Sequence, residues 1–121
     1  MRLVGVFQEG MPRVEVTLYG VRGVVTVECI LDTAFNGDLT LPPSVLQELG
    51  VIPSTRIRNR LASGGEEYAA AGVVQVEWMG TLRYAEAIAY RNNALLGTAL
   101  LDDCHIDIEA TEGGEVIVEP L

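Results

Sequence analysis

The chain has 121 residues, 49% of them apolar, and its 17 acidic and 8 basic residues give a net charge of −9 at pH 7. This length suits one domain, residues 1–121, with a modest core, and the apolar content excludes a disordered chain. The negative charge argues against nucleic acid and membranes as partners, because phosphate groups need a basic surface, and a peptide or protein substrate fits better. No apolar stretch reaches the length of a membrane span, and residues 1–4 are typical of a strand rather than a signal peptide, so we expect a soluble, cytoplasmic protein.

The first third of the chain alternates between apolar and polar residues in three runs, and this period of two predicts strands. The predicted strands cover residues 3–8, 13–19 and 24–31. A further short strand is expected at 38–41. Residues 42–50 have proline at their start and glycine at their end, which are the marks of a short helix.

The second half repeats this plan of strands, an apolar loop and a short helix. Its strands are predicted at residues 57–61, 68–78, 82–90, 105–109 and 115–119. Residues 96–103 are predicted to form one or two helical turns. Arg56, Arg58 and Arg60 alternate along one predicted strand, and this spacing indicates either a solvated edge or recognition of peptide side chains.

The chain is poor in the residues that most hydrolytic and metal sites use. Cys29 and Cys104 lie in apolar, strand-like segments without metal-ligand spacing, so we interpret them as buried thiols and expect no metal and no cofactor. His105 is the only histidine, and no serine occupies a nucleophile-elbow pattern, which disfavours Ser-His and Cys-His triads. Carboxylate chemistry remains, in which one aspartate deprotonates water while another, protonated, donates to the substrate carbonyl.

One aspartate is placed for such chemistry. Asp32 directly follows the apolar residues Ile30 and Leu31 and enters a tight turn of small residues. A carboxylate in this position is held by backbone amides and overlooks a cleft. The alternative is that Asp32 only shapes the turn, because aspartate caps turns through its side chain.

Two motifs in this order resemble the signature of the retropepsin-like aspartic proteases. Residues 30–34 are Ile-Leu-Asp-Thr-Ala, similar to the family's two apolar residues followed by Asp-Thr-Gly, and Leu95, Leu96 and Gly97 are similar to its later apolar-apolar-Gly segment. The resemblance covers residues 13–109 and is strongest with the small, single-domain enzymes of prokaryotes. It implies an all-β fold, a small closed barrel of retropepsin type with one or two short helices, in a homodimer.

The resemblance also implies roles for the residues around the aspartate. Asp32 would meet Asp32 of the partner subunit at a two-fold axis, and the pair would share one proton. Thr33 matches the threonine whose hydroxyl bonds across that axis. Ala34 stands where glycine is usual, and its amide is expected to donate to the carboxylate provided that its φ is negative. Gly97 is expected to permit close passage beneath the aspartate-bearing loop.

In related enzymes a β-hairpin flap folds over the bound peptide, and residues 61–68 occupy the corresponding position here. Ser63, Gly64 and Gly65 would form the substrate-binding tip, whose backbone amides reach an extended peptide. Ser63 stands where an aspartate often precedes the glycine. The alternative is an ordinary hairpin with no role in binding.

The function that these motifs favour is an aspartic endopeptidase that hydrolyses peptide bonds with a water held between two Asp32 side chains. The mechanism uses no metal and no covalent intermediate. The first alternative is a non-catalytic peptide-binding or assembly domain that keeps the barrel and the dimer, and Ala34 is its best support. The second alternative is a self-assembling structural β domain, which would bind no peptide.

Overall fold

The computed structural model describes residues 1–60, 64–90 and 92–121. Within these ranges, strands dominate and two short helices interrupt them. In chain order the elements are β1 (Leu3–Gln8), β2 (Met11–Gly20), β3 (Gly23–Leu31), β4 (Leu39–Leu41), α1 (Pro43–Leu49), β5 (Thr55–Arg60), β6 (Glu66–Trp78), β7 (Thr81–Ala89), β8 (Leu95–Leu96), α2 (Thr98–Leu101), β9 (Cys104–Ile108) and β10 (Glu115–Pro120). No helix in the described ranges is long and apolar enough to cross a membrane.

Six of the strands close into a barrel. β2 pairs with β3, β3 with β8, β8 with β4, β4 with β7, β7 with β6, and β6 returns to β2 through two residue pairs. The β3–β8 and β4–β7 pairings are parallel, and the others in this circuit are antiparallel. β5 extends the sheet beyond β6, and β1, β10 and β9 extend it beyond β2. The predicted all-β barrel with short helices is confirmed.

The hydrophobic core fills this barrel. Alternation along β2 turns Val14, Val16 and Leu18 inward, and all three are buried. Leu96 and Leu100 lie on either side of the β8–α2 junction and are also fully buried. Burial of each such side chain contributes roughly 1.5–3 kcal/mol, so the core anchors the β8–α2 segment.

Helix α1 has the ends that its sequence predicts. It starts at Pro43, whose missing N–H would have had no helical partner in any case. It ends at Gly50, which adopts the left-handed conformation with φ 74° and donates its N–H to the Gln47 carbonyl. Leu46 and Leu49 are the buried residues of the helix, so α1 covers one side of the core.

The segment after Asn93 differs from its prediction. Residues 96–103, predicted as helical turns, divide into the end of strand β8, the extended residue Gly97, and the four-residue helix α2. β8 is not predicted because two apolar residues show no alternation, and its partners in β3 and β4 are remote in sequence. Elsewhere the strand limits agree to within a few residues, and Leu61, predicted to end β5, lies outside the described residues.

The two cysteines differ in burial. Cys29 is fully buried, as expected, whereas Cys104 on β9 is only partly buried. Burial raises the pKa of the Cys29 thiol to about 12, and the neighbouring Glu28 carboxylate adds to the shift. Because this thiol stays protonated in the folded barrel at pH 7, it acts as a small apolar side chain rather than a nucleophile.

The raised pKa of Cys29 makes stability depend on alkaline pH. The thiol titrates near 9.0 when unperturbed and near 12 in the fold, so its contribution is complete below about pH 9 and is lost as the pH rises toward 12. We predict that the free energy of unfolding of the wild-type protein falls above pH 9. The free energy of unfolding of Cys29→Ala should fall less steeply. Urea unfolding of both proteins across this range measures the difference, and parallel slopes would contradict it.

Thr40 on β4 is a buried polar side chain that links β4 to the segment entering β8. Its hydroxyl donates to the Asn93 carbonyl at 3.2 Å and accepts the Leu95 N–H at 3.0 Å. We predict that Thr40→Val lowers the free energy of unfolding by about 1–3 kcal/mol, because it leaves both backbone groups without this partner. Thr40→Ser keeps the hydroxyl and is the matched control. Urea denaturation measures both variants, and a higher free energy of unfolding for Thr40→Val than for Thr40→Ser would refute this role.

Candidate active site

Asp32 is delivered to the barrel mouth by the end of β3. Leu31, the last residue of that strand, pairs with Leu96 of β8, and the Asp32 N–H donates to the Leu96 carbonyl at 2.9 Å. The Asp32 side chain is partly exposed. Its backbone is therefore fixed by the barrel while its carboxylate faces solvent.

The turn after Asp32 holds the carboxylate in one orientation. The Ala34 N–H donates to Oδ1 of Asp32 at 2.9 Å, and the Phe35 N–H donates to the Asp32 carbonyl at 3.1 Å. Among the described residues, no group donates to Oδ2, which leaves that oxygen open to a water molecule or a second carboxylate. Ala34 is not among the residues with positive φ, so this turn keeps the amide bond without requiring glycine.

The β8–α2 segment passes directly beneath the aspartate-bearing loop. The Gly97 N–H donates to the Asp38 carbonyl at 3.0 Å, the Thr98 N–H to the Phe35 carbonyl at 2.8 Å, and the Ala99 N–H to the Gly37 carbonyl at 3.2 Å. The Thr98 hydroxyl donates to the same Phe35 carbonyl. Three consecutive amides of one segment therefore hold the carbonyls of the other.

Gly97 is required by space rather than by its backbone angles. A Cβ at this position would overlap the Gly37 carbonyl oxygen and would lie 2.6 Å from Cδ2 of Phe35. Its φ of −100° and ψ of 176° are extended values that any residue adopts. The close passage expected for Gly97 from the sequence is present.

Phe35 and Asp38 tie the loop to the other side of the barrel. Phe35 and Ile57 of β5 both pack against a small buried cluster formed by Ala69, Ala71 and Ile88 of β6 and β7, which we call the Phe35 cluster. Oδ2 of Asp38 accepts the N–H of a β7 residue, Glu86, at 3.0 Å. The loop is thus anchored both to β8–α2 and to the β5–β6–β7 sheet.

The structure brings part of the expected site together. Asp32, Thr33 and Ala34 share the turn, with the last two exposed, and Gly97 lies beneath it. Gly64 and Gly65 are exposed just before β6, and Gly64 has a φ of 88°. Ser63 lies outside the described residues.

Sequence reasoning gave no role to Phe35, Asp38 or Thr98. A lone carboxylate before a short apolar strand, as at Asp38, is too common to indicate a bond to a distant strand. Phe35 and Thr98 act through partners that only the folded chain brings near. Thr98 carried one weak signal, a hydroxyl directly after the glycine of the second motif.

The fold is similar to that of a solved protein. The crystal structure of a retropepsin-like aspartic protease from Rickettsia conorii superposes with a TM-score of 0.60 and 16% sequence identity, over 98% of this chain and 89% of that chain. No protein-family model matches the sequence, and no curated protein matches it. At this level of identity the likeness establishes the barrel architecture and not the chemistry.

The crossing at Gly97 can be tested by adding one methyl group. We predict that Gly97→Ala lowers the free energy of unfolding by about 3 kcal/mol or more, because the methyl group meets backbone that cannot yield without breaking the crossing. Gly23→Ala is the matched control, since its Cβ would have no neighbour within 4 Å, and it should stay within about 0.5 kcal/mol. Equal stability of the two variants, measured by urea denaturation, would rule out the crossing as a constraint.

Proposed function

We propose that the protein is an aspartic endopeptidase whose active site forms between two identical subunits, with Asp32 as the catalytic residue of each. The observation that carries this proposal is the orientation of one carboxylate: Oδ1 accepts the Ala34 amide and Oδ2 has no donor among the described residues. The Ala34 bond alone is also that of an aspartate that shapes a turn, and the support for a reactive role is that β8 and the crossing at Gly97 fix this turn from below. The likeness to the Rickettsia conorii protein agrees with this function.

Two such carboxylates can divide the work of acid and base. At a separation of about 3 Å, two unit charges repel by roughly 5 kcal/mol at an effective dielectric of 20. The pair is therefore proposed to share one proton. The ionised member takes a proton from the attacking water, while the protonated member donates to the carbonyl oxygen of the scissile peptide. No covalent intermediate, metal or cofactor is needed.

The turn is exposed at the two residues that the proposal places against a partner subunit. Thr33 and Ala34 are exposed, and among the described residues the Thr33 hydroxyl makes no side-chain hydrogen bond. A two-fold axis beside Asp32 would place a second copy of the turn there, where Thr33 can bond across the axis. Dimerisation then completes a site of which one chain holds half.

The β5–β6 hairpin is the part of the proposal that would hold the substrate. Gly64 and Gly65 leave backbone amides accessible to an extended peptide, which binds by main-chain hydrogen bonds. Ile57 of the same hairpin packs in the cluster with Phe35, so the hairpin is continuous with the aspartate loop. We propose further that each subunit is a single domain of a homodimer. The protein would act on peptides or proteins in the cytoplasm, without nucleic acid or membrane partners.

The non-catalytic alternative rests on Ala34 in place of glycine. The Ala34 amide donates to the carboxylate at 2.9 Å and its φ is not positive. The extra methyl group therefore leaves the support of Asp32 intact, so Ala34 is compatible with the protease.

The decisive test is cleavage of a diverse peptide library by the wild-type protein and by Asp32→Asn. We predict that the substitution lowers cleavage by at least about 100-fold, because the amide can neither take nor give the proton. Circular dichroism checks that the fold is retained. Asp107→Asn, which neutralises an exposed aspartate on β9, is the control and should cleave normally. Cuts that persist in Asp32→Asn would sink the proposal, and absence of cuts in every protein would leave the binding domain as the better function.

The charge of the chain predicts a pH dependence of assembly. A net charge of −9 on each subunit opposes dimerisation, and this repulsion weakens as carboxylates gain protons. Because carboxyl groups in model peptides titrate at about pH 4, we expect both the dimer fraction and the cleavage rate to rise as the pH is lowered from about 7 to 4. Sedimentation velocity and peptide cleavage in the same buffers measure the two quantities, and flat profiles for both would contradict the link.

A further inference from the structure

β5 has an open edge. It is the terminal strand of the sheet, paired with β6 on one side and, among the described residues, with no strand on the other. The outer backbone N–H and C=O groups of such a strand lack ladder partners, and they form a template for one more strand.

This open edge is the most basic segment of an acidic chain. Three of the eight basic residues, Arg56, Arg58 and Arg60, lie within the six residues of β5, while the chain as a whole carries −9. Charged residues, basic ones especially, also protect an edge strand from aggregation. In a chain with 17 acidic and only 8 basic residues, three basic residues on one short strand also make this edge locally complementary to a negatively charged partner.

The two described arginines differ in their partners. The Arg56 guanidinium lies 5.6 Å from the centre of the Tyr68 ring, and among the described residues it has no carboxylate partner. Arg58 contacts Glu66 at 3.6 Å in a pair that is exposed on both sides. Such a pair contributes little, so an incoming carboxylate can replace Glu66 at small cost.

The other face of β5 points toward the candidate active site. Ile57 lies between the two arginines in sequence and packs in the Phe35 cluster, so alternation turns Arg56 and Arg58 to the opposite face. A strand added at this edge would carry its alternate side chains past the arginines on one face. Its remaining side chains would point to the face on which the aspartate loop is anchored.

We propose that the open edge of β5 binds an extended segment of a partner protein with acidic residues at every second position. The segment adds to the sheet as a further strand through its backbone amides and carbonyls. Its carboxylates, spaced roughly 7 Å apart along one face, pair with the guanidinium groups of Arg56 and Arg58. This interaction surface goes beyond the protease and does not depend on turnover.

Binding is measured by fluorescence anisotropy of a labelled peptide in which glutamate and valine alternate, with a lysine–valine peptide as the opposite charge pattern. The 121-residue protein carries Asp32→Asn so that the probe stays intact, and failure of the protease therefore does not affect the result. We expect the acidic probe to bind and the basic probe not to bind. Equal binding of both probes, or none of the acidic one, overturns the proposal.

Two variants that remove the same charge locate the site. Arg56→Gln/Arg58→Gln is expected to weaken binding of the acidic probe about tenfold. Arg2→Gln/Arg83→Gln removes two exposed arginines elsewhere and should change the affinity by less than about twofold. Equal weakening by both pairs would mean that only the net charge matters, and this would overturn the docking site.

The addition of a strand is tested through the peptide backbone. Alternate amides of an edge strand face its neighbour, so methylation of the odd or of the even amides of the probe should abolish binding for one set and spare the other. Equal binding of both methylated probes would reject strand addition.

A second copy of the chain is the other possible occupant of this edge, and light scattering after size-exclusion chromatography tests it. A lower mass for Arg56→Gln/Arg58→Gln than for the parent protein would reject the acidic partner.

Discussion

The site depends on one close crossing of two chain segments. The loop that follows β3 lies directly over the segment that joins β8 to α2, and backbone meets backbone at Gly97 without an intervening side chain. Three amides of the lower segment hold three carbonyls of the upper one. Without the crossing, these amides and carbonyls would need water molecules as hydrogen-bond partners. The crossing supplies their partners within the chain and fixes the position of Asp32 relative to the core. A larger residue at Gly97 would displace the loop that carries the carboxylate.

The barrel itself contributes rigidity that a loop alone cannot have. Asp32 follows a strand that is paired on both sides, by β2 and by β8, and the loop returns to the sheet through Asp38 and the bond to Glu86. Groups that react with a substrate must hold their geometry to within a fraction of an ångström, which favours sites built between strands. The only part of Asp32 that the described chain leaves without a partner is the outer oxygen of its carboxylate.

Much of this architecture was predictable from local patterns, and the remainder depends on long-range contacts. The alternation in residues 13–19 and 24–31 predicts β2 and β3 because one face of each is buried, and the proline and glycine of α1 mark its ends. The turn around Asp32 and the need for glycine at position 97 followed from two short motifs. β8 escaped prediction because a two-residue strand is defined by its neighbours rather than by its sequence. The Phe35 cluster joins residues from four separate segments, and no spacing along the chain indicates it.

The parallel pairing of β3 with β8 also affects the synthesis and folding of the protein. β3 has neighbours on both sides only after Leu31 has paired with Leu96. Pairings between such remote residues slow folding, because a long loop must close before the contacts form. During synthesis the first motif leaves the ribosome several seconds before the second. During that interval the β8–α2 segment has not yet been made, so Asp32 is present in the nascent chain but its loop is not held in place. The order of the two motifs along the gene thus delays assembly of the site until most of the polypeptide has been made.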